Sequence, residues 1–274
     1  TADAKLIFIP HHKELFMFIS TQDLEKIYQD NSVLILDARS YKDYSAGHIP
    51  GSVSLDLFSF HWADTSQKGL VSFGEHMRKI LSYAGVDENK KIIFYDNTSG
   101  MLAARGVWMC LYFSHPDVQL LDGGLSKWTG ENLPTATEST IYKPSNLTTQ
   151  IDPSIIIGFE ELNENIGKVT IIDARSPDEF DGTTPRAARG GHIPTAKNID
   201  WNNNLDGSGK LKPDEELESL YQMNKDAPIV TYCQGAYRAA NSYLSLKKIG
   251  FKNVKVYLGS WGEWGNNLDL PIEK

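Results

Sequence analysis

Short runs of apolar residues, many of them β-branched, recur along the chain and predict buried strands. They lie at residues 33–36, 92–95 and 118–121 in the first half and at 169–172, 229–232 and 254–257 in the second. Near-continuous apolar runs indicate strands that are buried on both faces, as in a parallel sheet. Helical segments are predicted between them, at residues 23–29, 73–83, 102–113, 213–223 and 239–249. The alternation of strands and helices predicts an α/β fold.

Several motifs occur twice in the same order, which indicates a duplicated domain. The pairs are Asp37-Ala38-Arg39 with Asp173-Ala174-Arg175, Gly47-His48-Ile49-Pro50 with Gly191-His192-Ile193-Pro194, Trp128 with Trp264, and Leu133-Pro134 with Leu270-Pro271. Most pairs are 136 or 137 residues apart, but the Gly-His-Ile-Pro pair is 144 apart, so the second half has an extra segment before this motif. We predict a first domain at residues 1–135, an exposed linker at 136–152 and a second domain at 153–274.

The composition is that of a globular protein, with 41% hydrophobic and 23% charged residues. The net charge of −8 argues against nucleic acid or an anionic membrane as a partner, so an anionic substrate needs locally concentrated positive charge. No apolar stretch is long enough to span a membrane. A signal peptide is not predicted either, because residues 1–5 lack a basic region and the apolar run 15–19 is too short for a signal-peptide core. Cys110 and Cys233 lie in different repeats without metal-site spacing, which favours a cytoplasmic location.

The two halves differ at the residue that follows the second apolar run of each. Asp96 follows the run 92–95, whereas Cys233 follows the run 229–232. A residue at the end of a buried parallel strand stands where α/β folds bind ligands. One half therefore presents a thiol and the other a carboxylate, which suggests a single reactive site on a duplicated scaffold. Cys110, inside a predicted apolar helix, is interpreted as a core residue.

The residues after Cys233 favour a reactive thiolate. Gly235 and Ala236 are small enough for the backbone to curl around the thiol, and the N–H groups of such a loop can form an anion cradle. The N-terminus of the following helix and the charge of Arg238 would lower the pKa of the thiol. The alternative is a buried structural cysteine, which this loop and the contrast with Asp96 disfavour.

The spacing of Cys233 and Arg238 bears on the chemistry. Four residues separate them, one fewer than in the tyrosine and dual-specificity phosphatases. A smaller cradle suits a sulfur atom bonded to the cysteine better than a whole phosphate dianion. A phosphatase is therefore only a distant alternative.

These motifs resemble those of the two-domain rhodaneses, in particular the Azotobacter-type bacterial thiosulfate sulfurtransferases, over nearly the whole chain. The resemblance rests on the motifs repeated in both halves, on Asp122-Gly123-Gly124 with Trp128, and on the run Gly259-Ser260-Trp261-Gly262-Glu263-Trp264-Gly265-Asn266. It implies two tandem rhodanese-like domains, each a parallel β-sheet flanked by helices. It also implies that the first domain, with Asp96 in place of a cysteine, is inactive and that Cys233 is the catalytic residue of the second.

The resemblance extends to residues that bind an anionic donor. It implies that Arg186 and Arg189, in the extra segment before Gly191, reach toward the active site together with Arg238. The loop residues expected to contact the substrate are Gln234, Gly235, Ala236 and Tyr237. The loop differs from both known types. The Azotobacter-type loop has two histidines where Ala236 and Tyr237 stand here. The loops of mercaptopyruvate sulfurtransferases lack an arginine, whereas this loop is followed by Arg238.

Some repeated residues are interpreted as structural. The Asp-Ala-Arg pairs, His48 and His192 occur in both halves, including the inactive one, so a role in the fold is favoured over catalysis. Trp201, Trp261 and Trp264 are expected to pack in the core or between domains, or to wall the pocket.

The resulting expectation is a sulfurtransferase that moves sulfur from thiosulfate to cyanide or a thiol through a Cys233 persulfide, without metal or organic cofactor. One alternative is a 3-mercaptopyruvate sulfurtransferase. Another is a persulfide carrier that receives sulfur from a desulfurase and passes it to a protein, such as a thioredoxin-like one.

Overall fold

A computed structural model describes residues 17–274, so residues 1–5 and part of the run 15–19, which bear on a signal peptide, lie outside the described residues. Two five-stranded parallel sheets form the centre of the molecule. The first contains β1 (Phe18–Ile19), β2 (Val33–Asp37), β3 (Val53–Ser54), β4 (Lys91–Tyr95) and β5 (Val118–Leu121). The second contains β6 (Ile156–Ile157), β7 (Thr170–Asp173), β8 (Lys197–Asn198), β9 (Ile229–Tyr232) and β10 (Val254–Tyr257). Their strand orders, β1-β5-β4-β2-β3 and β6-β10-β9-β7-β8, are equivalent.

Helices flank both sheets, which confirms the predicted fold class. The first domain has α1 (Thr21–Ile27), α2 (Tyr41–Ala46), α3 (Gln67–Tyr83), α4 (Met101–Tyr112) and α5 (Gly124–Gly130). The second has α6 (Phe159–Glu164), α7 (Pro177–Phe180), α8 (Asp214–Leu220), α9 (Tyr237–Lys248) and α10 (Ser260–Trp264). Short 3-10 turns occupy Leu57–Ser59, Pro153–Ile155 and Trp201–Asn204.

The central strands agree with the apolar runs, and the outer elements were not predicted. The runs 118–121, 229–232 and 254–257 coincide with β5, β9 and β10. Four strands of two residues each were missed because so short a segment carries no periodicity. Helix α9 ends before Gly250, whose φ of 86° is the left-handed conformation that glycine adopts readily at a helix end.

The repeated Asp-Ala-Arg and Gly-His-Ile-Pro motifs meet in the fold. Arg175 is paired with Asp173 at 2.6 Å, and the same Arg175 Nη2 donates to the carbonyl oxygen of Gly191 at 2.7 Å. Arg39 makes the same contacts in the first domain. His192 Nδ1 contacts the carbonyl oxygen of Phe180 at 3.0 Å. These buried groups connect the end of a central strand to the loop beyond it, which is a structural role.

The segment between the domains is more firmly held than an exposed linker. No helix or strand occurs at residues 137–152, and Ile141 is exposed. However, Leu147 is 1% exposed within the apolar core, and its carbonyl oxygen accepts a hydrogen bond from Arg78. The polar composition does not predict this anchoring, because it depends on a single buried leucine and on hydrogen bonds from Ser145 and Leu147 to Ser82 of the first domain.

The two domains pack together through α4 and α9. Polar bonds cross the same interface: Thr65 N donates to Glu263 at 2.7 Å, and Asn241 Nδ2 donates to the Ser99 carbonyl oxygen at 2.8 Å. The ends of β4 and β9 therefore face an interdomain region. Among residues 17–274, no helix combines the length and the apolar character that a membrane span requires.

Candidate active site

Cys233 directly follows β9 and is 1% exposed. The loop from Cys233 to Ala236 leads into α9, and Ala236 has a φ of 66°, a left-handed conformation that reverses the chain in little space. Ser260 holds this loop, since its Oγ accepts hydrogen bonds from the N–H groups of Cys233 (3.2 Å) and Ala236 (3.1 Å). The same Oγ donates to the carbonyl oxygen of Tyr257 at 2.9 Å.

The equivalent loop of the first domain shows how such a loop treats negative charge. The Asp96 carboxylate accepts from four backbone N–H groups, those of Thr98, Gly100, Leu102 and Ala103, at 3.0 to 3.2 Å. Burial raises the pKa of Asp96, and these four donors act in the opposite direction by stabilising its charged form. A carboxylate thus occupies an anion-binding nest in one domain where the other domain presents a thiol.

Arg238 lies beside Cys233 but is already paired. Its Nη1 and Nη2 bind Glu179 at 2.5 Å and 2.9 Å, and both side chains are largely buried. Burial opposes the charge of Arg238, but the bonds to Glu179 and the proximity of Cys233 raise its pKa. The predicted cation is therefore at the site, with a carboxylate that had not been predicted.

Arg186 lies beside Gln234 of the cysteine loop. The Arg186 side chain is half exposed and its Nη1 is 3.5 Å from Glu179. Gln234 Nε2 donates to the Arg186 carbonyl oxygen at 3.0 Å, while the buried Gln234 Oε1 has no hydrogen-bond partner. The extra segment thus brings one half-exposed cation next to the cysteine loop.

The structure uses Arg189 differently from the prediction. Its guanidinium donates to four main-chain carbonyl oxygens, those of Trp264, Gly265, Asn267 and Leu270. These carbonyls belong to the last turn of α10 and the chain beyond it, so Arg189 closes the end of that helix. The substrate-binding role assigned to Arg189 is corrected to a structural one because its donors are already engaged.

The first domain covers the cysteine loop. A Cβ added to Gly235 would lie 1.8 Å from Cε1 of His61, so the His61 ring rests directly on the Gly235 backbone. The Tyr237 hydroxyl donates to the Leu57 carbonyl oxygen at 2.9 Å, and Phe58 packs on the Tyr237 ring. Gly235 and Tyr237 therefore contact the other domain, and Gly235 allows its close approach.

Charge and burial keep the covering histidine neutral. Burial lowers the pKa of His61, and the positive charges of Arg105 and Arg186 lower it further. A neutral imidazole over the loop neither adds to nor removes from the positive charge near Cys233 at neutral pH.

Other predicted residues lie in the core or beside Asp96. Cys110 is fully buried, burial raises its pKa, and both cysteines are free. Trp261 and Trp264 are fully buried, whereas Trp201 lines a cavity of about 390 Å³ next to Asp96. Within the part of the chain that the structure describes, no group of three or more His, Cys, Asp or Glu is placed to hold a metal ion.

Sequence reasoning missed Arg105, Glu179, His61 and the role of Ser260. Arg105 carried a signal, because a charged residue interrupts an apolar helical run. Glu179 also carried one, since Ser176 and Glu179 have the spacing of a helix capping box, which the structure contains. Nothing in the sequence around His61 placed it near the second domain.

Two segments of the chain, residues 20–131 and 159–267, match the family model described as the rhodanese-like domain. The chain belongs to the rhodanese family. It is 34% identical over 277 residues to a sulfur carrier protein, TtuD, of Thermus thermophilus, with 94% of this chain and 96% of that protein covered. It is 30% identical over 262 residues to a thiosulfate sulfurtransferase of Azotobacter vinelandii, with 94% and 97% covered.

A solved structure of the same family agrees with the architecture. It is that of SseA from Escherichia coli, described under 3-mercaptopyruvate sulfotransferases, with a TM-score of 0.77 at 26% identity. The similarity covers 90% of this chain and 99% of that one. Membership of the rhodanese family supports sulfurtransferase activity, with a sulfur donor and a sulfur acceptor as substrates. These proteins are named differently: one is called a sulfur carrier protein, one a thiosulfate sulfurtransferase, and the solved structure is described under 3-mercaptopyruvate sulfotransferases.

Proposed function

We propose that this chain transfers sulfane sulfur from thiosulfate to cyanide or a thiol, with Cys233 as the sulfur carrier. The observation that supports it most is the position of the Cys233 thiol at the end of β9, in a loop whose counterpart binds the Asp96 carboxylate through four N–H groups. A loop of this kind stabilises a thiolate and, equally, a persulfide anion.

The chemistry balances as two displacements at sulfur. The Cys233 thiolate attacks the outer sulfur of thiosulfate, the S–S bond of thiosulfate breaks, and sulfite leaves with the bonding pair. The persulfide anion on Cys233 then gives its terminal sulfur to cyanide, which becomes thiocyanate, and the thiolate returns. No electron leaves the reacting groups, so we propose that neither step requires a metal or organic cofactor.

Mass spectrometry of the intact protein tests this proposal. After incubation with thiosulfate, we expect Cys233 to gain the mass of one sulfur atom and to lose it when cyanide is added. Cys233→Ser should abolish both the adduct and turnover, whereas Cys110→Ser should retain both. An adduct on Cys110, or no adduct with any donor, would contradict the assignment. Parallel incubation with 3-mercaptopyruvate identifies the preferred donor.

A second candidate, a persulfide carrier, is favoured by the Glu179–Arg238 pair. A dianionic donor meets an arginine whose charge a carboxylate already balances, and this disfavours thiosulfate relative to a neutral or protein-bound sulfur source. If the chain is such a carrier, a desulfurase with its substrate should load Cys233 faster than thiosulfate does. Faster loading by thiosulfate would exclude this candidate.

A further inference from the structure

Arg105 of α4 is a buried cation without a balancing carboxylate. The residue is 2% exposed, and its Nη1 atom has no hydrogen-bond partner. The guanidinium lies over the rings of Trp108 at 4.7 Å and Tyr237 at 5.5 Å. Among the ion pairs of residues 17–274, none joins Arg105 to a carboxylate. An unpaired buried charge is costly, so an anion nearby would stabilise this guanidinium beyond what the aromatic rings provide.

The pseudo-symmetry of the two domains shows where Arg105 is directed. Arg105 is the fifth residue of α4, and Asn241 is the fifth residue of α9. These helices pack against each other across the domain interface. Asn241 crosses that interface and donates to the Ser99 carbonyl oxygen, in the loop that follows Asp96. The corresponding target of Arg105 is the loop that follows β9, which is the loop of Cys233.

Contacts of Arg105 agree with this symmetry. Tyr237, whose ring Arg105 covers, is the residue at which the Cys233 loop enters α9. Burial lowers the pKa of Arg105 to about 10, so it remains charged at neutral pH. An ionised Cys233 lies close enough to favour the charged form of Arg105.

The other charges at the site do not replace Arg105. Arg238 is balanced by Glu179, and Arg186 is half exposed and faces the same carboxylate. His61 is held neutral, as burial and the two nearby arginines lower its pKa. Arg105 therefore contributes the unbalanced buried positive charge beside Cys233.

We propose that Arg105, supplied by the domain without a catalytic cysteine, is the counter-charge that holds Cys233 in its anionic form. It acts on the thiolate and on the persulfide alike, because both carry one negative charge. This inference rests on the proposed role of Cys233 and adds a function for the first domain. Arg105 is a positioning residue in this account, since it acts through the charge of Cys233.

The pH dependence of Cys233 alkylation tests this directly. We would measure the rate of iodoacetamide addition at Cys233 by mass spectrometry between pH 5 and 9, in the whole chain without any sulfur donor. In Arg105→Met, the midpoint of this rate profile should move to higher pH by about 1 to 2 pH units, as for the loss of one nearby opposite charge. Arg105→Lys should recover most of the shift. If Arg105→Met fails to fold, Arg105→Gln provides the neutral variant.

Arg78→Met is the matched control, because Arg78 also lies over an aromatic ring of the first domain, that of Phe113 at 4.7 Å. It should leave the alkylation profile of Cys233 unchanged. The proposal would be overturned if folded Arg105→Met or Arg105→Gln had the same alkylation profile as wild type. It would also be overturned if Arg78→Met shifted the profile as much as the Arg105 variants do. The assay needs no persulfide. A wild-type chain that fails to accept sulfur would therefore refute the proposed function and leave the Arg105 result to be judged separately.

Discussion

Glu179 binds Arg238 through both terminal nitrogens of the guanidinium, at 2.5 Å and 2.9 Å, in a position where the carboxylate side chain is only 8% exposed. A bidentate ion pair of this kind is strong because two parallel charged hydrogen bonds form at once. The arginine that would recognise an anionic donor is therefore held in place and neutralised by the same residue. We therefore expect Glu179 to limit the positive charge that an anionic donor meets at Arg238.

Removal of the Glu179 charge should favour anionic donors. In Glu179→Gln, Arg238 keeps a hydrogen-bonding neighbour of similar shape but loses its balancing charge, so more positive charge faces thiosulfate. We expect kcat/KM for thiosulfate to rise by about 3- to 10-fold, mainly through KM, as for the gain of one partly screened charge interaction. Steady-state kinetics with thiosulfate and cyanide measure this.

Asp178→Asn is the matched control for this change, because it removes the same charge one residue away, from an exposed position. It should leave kcat/KM unchanged within experimental error. A decrease in Glu179→Gln would show that Glu179 serves chiefly to orient Arg238, and an equal increase in both variants would point to the overall charge of the protein.

The same ion pair predicts a dependence of stability on pH. Although burial acts in the opposite direction, the bonds from Arg238 lower the pKa of Glu179 from 4.5 to about 2. Because this pKa is lower in the folded state, the pair stabilises the fold fully above about pH 4.5 and less as pH falls toward 2. Urea denaturation measures the free energy of unfolding of wild type and Glu179→Gln. The difference between these two free energies should narrow between pH 5 and pH 3, and a constant difference would contradict this.

The parts of the fold that the sequence predicted are those with a strong local pattern. The apolar runs of the central strands and the paired motifs of Asp173 and His192 are repeated, so two independent copies supported each prediction. The Asp-Ala-Arg pairs were interpreted as structural, and the buried contacts of Arg175 agree. The edge strands were not predictable, since two residues cannot show an alternation.

The candidate site was only partly predictable because it lies between domains. Cys233 follows β9 and Arg238 lies in the first turn of α9, so their proximity follows from their short separation in the sequence. His61 and Arg105 come from the other repeat, and their approach depends on how α4 packs on α9. Arg189 was misassigned because its sequence position fits a substrate contact, whereas its donors are engaged by the carbonyl oxygens after α10.

Arg189 and Arg186 should have separable effects when each is changed to Met. Arg189→Met leaves several carbonyl oxygens near α10 without a donor, which should cost about 2 to 3 kcal/mol of unfolding free energy. Its KM for thiosulfate should be nearly unchanged. Arg186→Met removes a half-exposed cation, so the free energy of unfolding should change by less than about 0.5 kcal/mol. Its KM for thiosulfate should rise. Urea denaturation and steady-state kinetics on both variants test this, and a reversal of the pattern would restore Arg189 as a donor-binding residue.

Asp96 should matter for stability and little for turnover. In Asp96→Asn, the new amide group would point hydrogens at some of the four N–H donors that now bind the carboxylate, among them those of Thr98 and Leu102. We expect a loss of about 2 to 3 kcal/mol in unfolding free energy, the cost of leaving buried donors without an acceptor. Turnover of the folded variant should stay within about threefold of wild type, because a remote polar change alters transition-state binding by under about 1 kcal/mol.

Asp43→Asn is the control for charge, because Asp43 lines the same cavity of about 390 Å³ as Asp96. It should affect neither the free energy of unfolding nor turnover strongly. A loss of turnover comparable to that of Cys233→Ser would mean that the Asp96 loop takes part in sulfur transfer; an unchanged stability would mean that the loop holds its shape without an anion.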